Sequence, residues 1–310
     1  MTRGRVLLAL GGIAISAVFL WLAFRDADVD EVRAVLSDAR LGLVLLAVGA
    51  LGCGYLLQAT RWRSIASAPA LTLRHFYAML LAGLAANNVL PVRIGELVRA
   101  GWLSRDARMP GGRALGTVAL DRACDVVALV IFLVVGLQVV PASDWLKRLV
   151  IGGFLALFVI AAALVFARVY TRSRGETRHE RGRVRKIIRD TIDMLAEPIG
   201  RRRAGIWLLL SLGAWGLSSL ASLLVARSLG IDLAPLEAVF VTASLALGVA
   251  IPSSPGYIGT YQWLGVASLG LLDIPVNEAL AFAILMQATW FVPTTLVGGG
   301  VIVVRAMRAR

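Results

Sequence analysis

Apolar and polar positions are grouped in long blocks along this chain, with no alternation of the kind that β-strands show. Six apolar runs approach or exceed the roughly 20 residues that a helix needs to cross a bilayer. They cover residues 6–24, 41–59, 114–140, 149–169, 207–229 and 279–304. The pattern predicts an all-α, polytopic integral membrane protein with about six full transmembrane helices, forming a single transmembrane domain over residues 1–310.

Two regions interrupt this pattern. The apolar run 76–90 is short for a span and ends in NNVLPVRIGE, while region 238–272 is two short apolar pieces separated by PSSPGY. Five arginines follow the first run between residues 92 and 113, and the positive-inside rule places such a segment in the cytoplasm. We therefore predict a re-entrant helix that enters from the cytoplasm and turns back at Pro91. The alternative is a full crossing whose arginines line a water-filled cavity.

The two broken regions resemble each other. Three residues separate Pro91 from Gly95, and three separate Pro252 from Gly256. In the predicted topology the two regions enter from opposite sides, which is the arrangement of an inverted repeat. Paired segments of this kind point to a transport site near the membrane midplane. The alternative is that both are kinked helices, because proline and glycine are frequent in membrane helices.

Composition and charge agree with a membrane protein. The chain is 58% hydrophobic and 16% charged, with a mean hydropathy of +0.79. Its net charge of +13 does not indicate a nucleic-acid partner, because the basic residues lie between apolar runs, as the positive-inside rule requires. This distribution predicts a multi-pass protein of the inner (cell) membrane with both termini in the cytoplasm.

The cytoplasmic loop 170–206 carries eleven basic and five acidic residues around a helical apolar stripe. We interpret it as an amphipathic helix that lies on the anionic lipids of the inner leaflet.

Sequence patterns for metal binding or nucleophilic catalysis are weak. Cys53 and Cys124 both lie inside apolar segments and are interpreted as packing residues, and the two histidines are far apart. Asp121 and Asp125 resemble magnesium-binding aspartate pairs, but one pair with an intervening arginine is too little. We predict no metal, no cofactor and no enzyme activity.

Ionisable residues cluster at two points. Arg93, Glu96 and Arg99 follow Pro91, and a second group lies early in the run 114–140. Charged groups inside membrane helices cost about 2.5–3.5 kcal/mol each on insertion scales, so they usually face the interior and pair. Glu96 and Arg99 are three residues apart and share a helix face.

The second group is Asp121, Arg122 and Asp125, whose two carboxylates share a helix face. We predict a polar centre in which Arg93 and Arg122 meet the three acidic residues. The alternative is an interfacial network that only fixes helix ends. That interfacial interpretation is adopted for Arg105, Arg108 and Arg113, and for the arginines and tryptophan of TRWRS at 60–64.

The sequence also resembles a known family. NNVLPVRIGELVRA, DRACD and IPSSPGYIGTYQ are similar to the membrane domain of the lysylphosphatidylglycerol synthase family, which is often called flippase-like. The similarity covers nearly the whole chain, and the N-x-L-P-x-R-x-G-E-x-x-R motif is fairly specific. In that family the second motif often begins with glutamate, and here Asp121 keeps the charge. The third commonly carries an acid after its glycines, but Thr260, Tyr261 and Gln262 follow Gly259.

The resemblance implies lipid transport. Full synthases attach lysine to phosphatidylglycerol with a soluble C-terminal domain. Because this chain stops at Arg310, the synthase activity is expected to be missing. The remaining part is expected to move a lipid with an anionic or phosphate headgroup between leaflets, with arginines holding the phosphate. Its candidate substrate-binding residues are Asn87, Asn88, Pro91, Arg93, Gly95, Glu96, Arg99, Asp121, Arg122, Asp125, Pro252, Gly256, Gly259 and Tyr261.

Two other functions fit the sequence. One is a membrane enzyme acting on a lipid phosphate. The other is a scaffold or regulator of envelope lipid synthesis that displays the basic segment 170–206. The sequence leaves open the lipid, the direction and energy source of transport, and the oligomeric state, a homo-oligomer included.

Overall fold

A computed structural model describes residues 16–90, 94–140, 183–249 and 254–308, with isolated positions between 145 and 156. Regular structure in these ranges is entirely helical, which confirms the predicted all-α class. The helices are α1 (16–24), α2 (Val29–Ser37), α3 (Leu41–Ala66), α4 (Leu73–Val89), α5 (Gly95–Asp106), α6 (Gly111–Gly136), α7 (Arg183–Leu195), α8 (Arg201–Ser228), α9 (Pro235–Gly248), α10 (Thr260–Gly270) and α11 (Val276–Arg308). Short 3₁₀ turns cover Leu137–Val139 and Pro255–Tyr257.

Helices α3 and α8 run antiparallel along each other. At one end the Arg40 N–H donates to the Ser228 carbonyl over 2.9 Å. At the other end the Trp207 indole donates to the Ser64 hydroxyl over 3.0 Å. Between them Gly54 lets the backbones approach, since a Cβ there would lie 3.1 Å from a carbonyl oxygen of α8.

The order of elements repeats. Helix α3 is followed by two short helices and the long α6, and α8 is followed by two short helices and the long α11. Lengths of 26, 17, 12 and 26 residues in the first half correspond to 28, 14, 11 and 33 in the second. Because α3 and α8 are antiparallel, the two halves form the inverted repeat that the two breaks predicted.

Each pair of short helices forms a hairpin. In hairpin 1 (α4 and α5), a Cβ on Gly95 would lie 2.0 Å from the Gly83 carbonyl, so only glycine permits this approach. In hairpin 2 (α9 and α10), Gly248 packs against the side chain of Leu264. Both chain segments therefore reverse direction, which excludes two simply kinked helices. Residues 91–93 and 250–253, with Pro91 and Pro252, lie outside the described residues.

The hairpins enter from opposite ends of the molecule, and their tips meet near its middle. Asn88, at the end of α4, lies beside Gly256 in the turn of hairpin 2, where a Cβ would be 3.4 Å from the Asn88 carbonyl. Gly256 has a φ of +71°, a left-handed conformation that favours glycine. The tips are thus in direct backbone contact.

Each hairpin also packs against a long helix of the other half. Leu81 of α4 lies against Gly298 of α11, and Phe240 of α9 lies against Gly136 of α6. The absence of a side chain at each glycine permits these close approaches. The two halves therefore interlock.

Within the described residues, three helices are long and apolar enough to cross a membrane: α3, α8 and α11. They correspond to three of the six predicted crossings. Helix α6 has 26 residues, but ionisable residues occupy its middle. The predicted span 6–24 is described only from residue 16, where it is helical, and 149–169 lies almost wholly outside the described residues.

The two ends of the molecule differ in charge. One end, the basic end, contains the end of α3 and the starts of α4, α6 and α8, where exposed arginines such as Arg74, Arg201 and Arg203 predominate. The opposite, acidic end contains α2 and the start of α11, with Asp30 and Glu278 among its carboxylates. This asymmetry agrees with the charge distribution from which the topology was predicted.

Two short amphipathic helices brace the halves at these ends. At the acidic end, Asp28 is the N-cap residue of α2, and its backbone N–H donates to the Asn277 side chain of α11 over 2.8 Å. At the basic end, the Thr191 hydroxyl of α7 donates to the Gly112 carbonyl of α6 over 2.9 Å. Helix α7 contains the apolar stripe predicted within 170–206. One of its faces is docked on α6, so it does not simply lie on a lipid surface.

Candidate functional site

A cluster of paired charges lies inside the helical bundle. This ionic centre consists of Arg61 on α3, Arg99 on α5, and Asp121, Arg122 and Asp125 on α6. All but Arg122 are almost completely buried. Residues from three separate helices therefore meet in a region of low dielectric, where an unpaired charge would be very costly.

Asp121 is the most heavily paired member. One carboxylate oxygen accepts from Arg61 Nε over 2.9 Å, and the other accepts from Arg99 Nη2 over 2.8 Å. Each oxygen thus faces a guanidinium from a different helix. The carboxylate cross-links α3, α5 and α6.

Asp125 extends the centre toward α8. Its Oδ1 lies 2.9 Å from Arg61 Nη1 and accepts from the Trp215 indole over 3.2 Å. The same Arg61 nitrogen donates to the Ser211 hydroxyl over 2.6 Å. Arg61 therefore bridges both aspartates and anchors the centre to the second half of the molecule.

Arg99 is fixed by an aromatic ring as well as by Asp121. Its guanidinium carbon lies 4.1 Å from the centroid of the Trp62 ring, a cation–π geometry. The Trp62 indole in turn donates to the Thr117 hydroxyl over 3.1 Å. Stacking holds the guanidinium plane in a single orientation.

Arg122 is held far more loosely. Its nearest carboxylate oxygens are 3.4 Å away on Asp125 and 3.9 Å away on Asp121. About 38% of the side chain is accessible, whereas the other four members of the centre are almost completely buried. Its Nε has no hydrogen-bond partner among the described residues, which is also true of Arg61 Nη2 and Arg99 Nε, so accessibility is what distinguishes Arg122. Arg122 is thus the member of the centre best placed to bind something else.

Such a centre is weak evidence for stability. Desolvating two charges can cost as much as their attraction returns, whereas removing one partner of a buried pair costs about 3–5 kcal/mol. Buried ionisable groups in membrane proteins usually mark a substrate or ion pathway. In the described part of the chain, no three His, Cys, Asp or Glu side chains are grouped so as to hold a metal ion.

Glu96 lies at the tip of hairpin 1 with a different partner from the one expected. The Asn87 amide donates to both Glu96 oxygens, over 3.2 and 3.3 Å, and its oxygen accepts from the Gly95 N–H over 2.7 Å. The predicted Glu96–Arg99 pair is absent from the described ion pairs, because Arg99 extends to Asp121. Asn87 therefore fixes the turn and orients the carboxylate.

Asn88 fastens the same tip to the other half. Its amide donates to the hydroxyls of Thr295 over 2.8 Å and Thr294 over 3.1 Å, both on α11. Of the two adjacent asparagines, Asn87 therefore stabilises the turn itself, and Asn88 attaches the tip to α11.

The tip of hairpin 2 is built from neutral groups, which we call the amide–aromatic centre: Gln262, Gln287, Tyr257, Tyr261 and Trp290. Gln287 donates to the Gly256 carbonyl over 2.6 Å and accepts from Gln262. Gln262 also accepts from the Gly259 N–H over 2.7 Å. The rings of Tyr257 and Tyr261 lie 6.2 and 5.8 Å from Trp290.

The predicted site residues fall into separate groups. Arg99, Asp121, Arg122 and Asp125 meet in the ionic centre, with Asn87, Gly95 and Glu96 at the neighbouring tip, whereas Gly256, Gly259 and Tyr261 belong to the second centre and Asn88 faces α11. Arg93, with Pro91 and Pro252, lies outside the described residues. Of the arginines called interfacial, Arg105 and Arg108 are exposed, and Arg113 pairs with Glu197 on the surface.

The interfacial interpretation of Arg61 and Trp62 was wrong. Both side chains are fully buried, and Arg61 is the residue that connects the two aspartates. One signal was present in the sequence: apolar Ile65 and Ala66 follow, so the helix continues beyond Arg61 by more than a turn.

Known proteins with similar sequences are named as membrane proteins. A UPF0104 membrane protein of Methanothermobacter thermautotrophicus is 26% identical over 90% of this chain and 91% of its own length. Another from Pyrococcus horikoshii is 24% identical over 97% of both chains, and one from Methanocaldococcus jannaschii is 23% identical over 68% of this chain. The family model described as the lysylphosphatidylglycerol synthase TM region matches residues 9–298, and the chain belongs to this membrane-protein family.

Proposed function

We propose that this protein moves a lipid with an anionic or phosphate-containing headgroup between membrane leaflets, and that the headgroup passes beside the meeting hairpin tips. The observation that carries the proposal is Arg122. It is a loosely paired, accessible guanidinium in an otherwise closed ionic centre inside the bundle. A headgroup phosphate needs such a cation on its way through a region of low dielectric.

The exchange of partners at Arg122 requires little rearrangement. Its contact with Asp125 is 3.4 Å long, and Asp125 keeps Arg61 and Trp215 as partners when Arg122 leaves. A phosphate can therefore replace the carboxylate and form a shorter, charge-assisted pair with the planar guanidinium. Arg93 is the second proposed phosphate ligand, on the strength of its place in the motif.

The hairpins also favour an anion near their tips. Helices α5 and α10 both begin there, and the start of a helix carries partial positive charge. Half-helices that point toward a midplane site are characteristic of transporters built from inverted repeats. The two tips thus define the proposed crossing point.

Reconstitution in proteoliposomes tests the proposal. Arg122→Gln and Arg93→Gln should each abolish translocation of a fluorescent phospholipid while the purified proteins keep the wild-type melting temperature. Arg→Lys should retain only part of the activity, because an ammonium does not bind phosphate bidentately. Wild-type transport by Arg122→Gln would contradict the assigned role.

The recovered lipid distinguishes transport from the alternatives. A transporter returns the lipid chemically unaltered, whereas a membrane enzyme acting on lipid phosphate changes its mass. If neutralising the basic residues of 170–206 abolished function while Arg122→Gln spared it, a scaffold would be the better description.

The proposed orientation places the basic end in the cytoplasm of a cell whose inner membrane holds the protein, with both termini on that side. Arg105→Cys, in a chain whose two natural cysteines are replaced by serine, tests this orientation. An impermeant thiol reagent should leave position 105 unlabelled in intact cells and label it after lysis. External labelling would mean that hairpin 1 enters from outside.

A further inference from the structure

We propose that α7 is a lid that closes the ionic centre toward the basic end, and that an anionic lipid surface holds this lid in place. The inference concerns access to the centre and does not depend on the proposed transport. It follows from what packs directly beside the charged residues.

A small apolar layer separates the ionic centre from the basic end. It consists of Ile65, Leu120, Met194 and Trp207, with Cys124 and Leu195 packed against it. Each member outside α7 lies within one helical turn of a residue of the centre or of Ser211, which binds it. Ile65 follows Arg61 by four residues, and Trp207 precedes Ser211 by four. Leu120 and Cys124 directly precede Asp121 and Asp125. This layer excludes water from the paired charges.

Helix α7 completes the layer from outside. Met194 is 6% exposed and fits against Gly116 of α6, where a Cβ would come within 2.9 Å of its side chain. Gly112 receives the α7 backbone, since a Cβ there would lie 2.2 Å from the Ile187 carbonyl. Among the described residues that form the apolar layer, only Met194 and Leu195 come from a short surface helix. Cys124 is half-buried in this position, and withdrawal of the two side chains would expose the rest of its thiol and then the charges beside it.

The remaining surface of α7 is suited to an anionic bilayer. Ile188 is 53% exposed beside the docked face, and Lys186 and Arg189 are exposed on the far side, where Arg189 lies 3.9 Å from the exposed Asp193 carboxylate. Apolar residues flanked by basic ones are typical of helices that lie in the headgroup region of anionic membranes. In the docked position lipid would cover Ile188. With α6 covering Met194 and lipid covering Ile188, both apolar faces are buried at once, which the undocked helix cannot achieve with one lipid-facing side, so lipid binding favours the closed lid.

Natural Cys124 reports on the lid. Because the chain has two cysteines, Cys53→Ser leaves Cys124 as the single thiol. We would measure its rate of alkylation by a small water-soluble maleimide after reconstitution in phosphatidylcholine alone and in phosphatidylcholine with phosphatidylglycerol. Alkylation should be slower with phosphatidylglycerol. High salt should remove the difference, since 1 M salt screens charges beyond about 3 Å.

Two variants separate docking from lipid binding. Gly112→Val displaces α7 and should raise alkylation at least about tenfold in both lipids, equivalent to roughly 1.4 kcal/mol. Met194→Ala, which leaves the backbone contact intact, should give a smaller rise. Lys186→Gln with Arg189→Gln should lower the ratio of closed to open lid by roughly thirtyfold, at about 1 kcal/mol for each charge removed. This faster alkylation should appear in anionic lipid alone.

Arg74→Gln with Arg105→Gln is the matched control, since it removes two exposed charges from the same end but none from α7. It should leave alkylation unchanged. Equal rates for the parent, Gly112→Val and Met194→Ala would overturn the lid. Faster alkylation in anionic lipid would contradict the proposal that an anionic surface holds the lid closed. The same holds if protection depends on protein density in the bilayer and not on lipid charge.

Discussion

The two hairpin tips share an architecture but not a chemistry. The tip of hairpin 1 lies beside three arginines and two aspartates. The tip of hairpin 2 lies among two glutamines and three aromatic rings, of which Gln287 and Trp290 belong to α11. Both turns rest on glycines and amide hydrogen bonds, through Asn87 in the first and Gln262 in the second. An inverted repeat thus fixes backbone geometry twice, while charge is concentrated in one half.

A physical reason for this division lies in the cost of buried charge. Gln287 connects its neighbours without any ion, so its burial needs only hydrogen bonds. The ionic centre carries the much larger desolvation cost of charged groups and needs partners from several helices. A second such centre would add that cost again.

The largest expected effect comes from breaking the ionic centre. Asp121→Asn leaves Arg61 and Arg99 without their shared counter-charge, and we expect a loss of about 3–5 kcal/mol in folding stability. Thermal unfolding in detergent measures the change. A melting temperature equal to that of the wild type would mean that water reaches the centre and that the two arginines are not truly buried.

A smaller effect is expected from the amide–aromatic centre. Gln287→Leu leaves the Gly256 carbonyl and the Gln262 amide unpaired, which should cost about 1–3 kcal/mol. The same unfolding assay applies, with Gln138→Leu as the control because Gln138 is exposed. A loss as large as that of Asp121→Asn would show that the two tips do not differ in energetic character.

Glu96 sharpens the comparison further, because it is the carboxylate nearest the turn of hairpin 1. Glu96→Gln retains a side chain that Asn87 can bind, so stability should change by less than about 1 kcal/mol. If the charge competes with phosphate for arginine, transport per folded molecule should fall by about tenfold, or roughly 1.4 kcal/mol. Lower stability with unchanged transport would instead identify Glu96 as a helix-end anchor.

The smallest effects belong to the exposed arginines of the basic end. Arg105→Gln and Arg108→Gln should each change stability by no more than about 0.5 kcal/mol and leave transport near wild type. The proteoliposome assay decides the second point. A defect as severe as that of Arg122→Gln would indicate collective surface charge and would remove the case for a specific phosphate site.

Individual predictions from sequence succeeded where the information was local. The two proline–glycine breaks correctly located both hairpins, because proline lacks the backbone N–H of a helical residue and restricts the residue before it. Asp121, Arg122 and Asp125 were correctly expected to cluster, since their spacing puts them within a turn of one another. The apolar stripe within 170–206 was correctly predicted to be helical, although its docking on α6 was not foreseen.

The errors concern partners on different helices. Arg99 shares a helix face with Glu96 and was expected to be able to pair with it, but the rotation of α5 against α6 directs Arg99 to Asp121. Arg61 was assigned to the membrane surface because it lies near the end of an apolar run. The approach of α8 at Ser211 and Trp207 covers that end and buries it.

By itself, then, the amino-acid sequence determined the helices, their interruptions and the charge difference between the two ends, since hydrophobic periodicity, backbone restriction and lipid-water partitioning act over short stretches of chain. Only the tertiary structure decided which arginine meets which aspartate, that the hairpin tips touch, and that α7 covers the ionic centre. Those contacts join residues that are far apart in the sequence; Arg61 and Ser211, for example, are 150 positions apart. They depend on how whole helices rotate and slide to satisfy every buried charge at once.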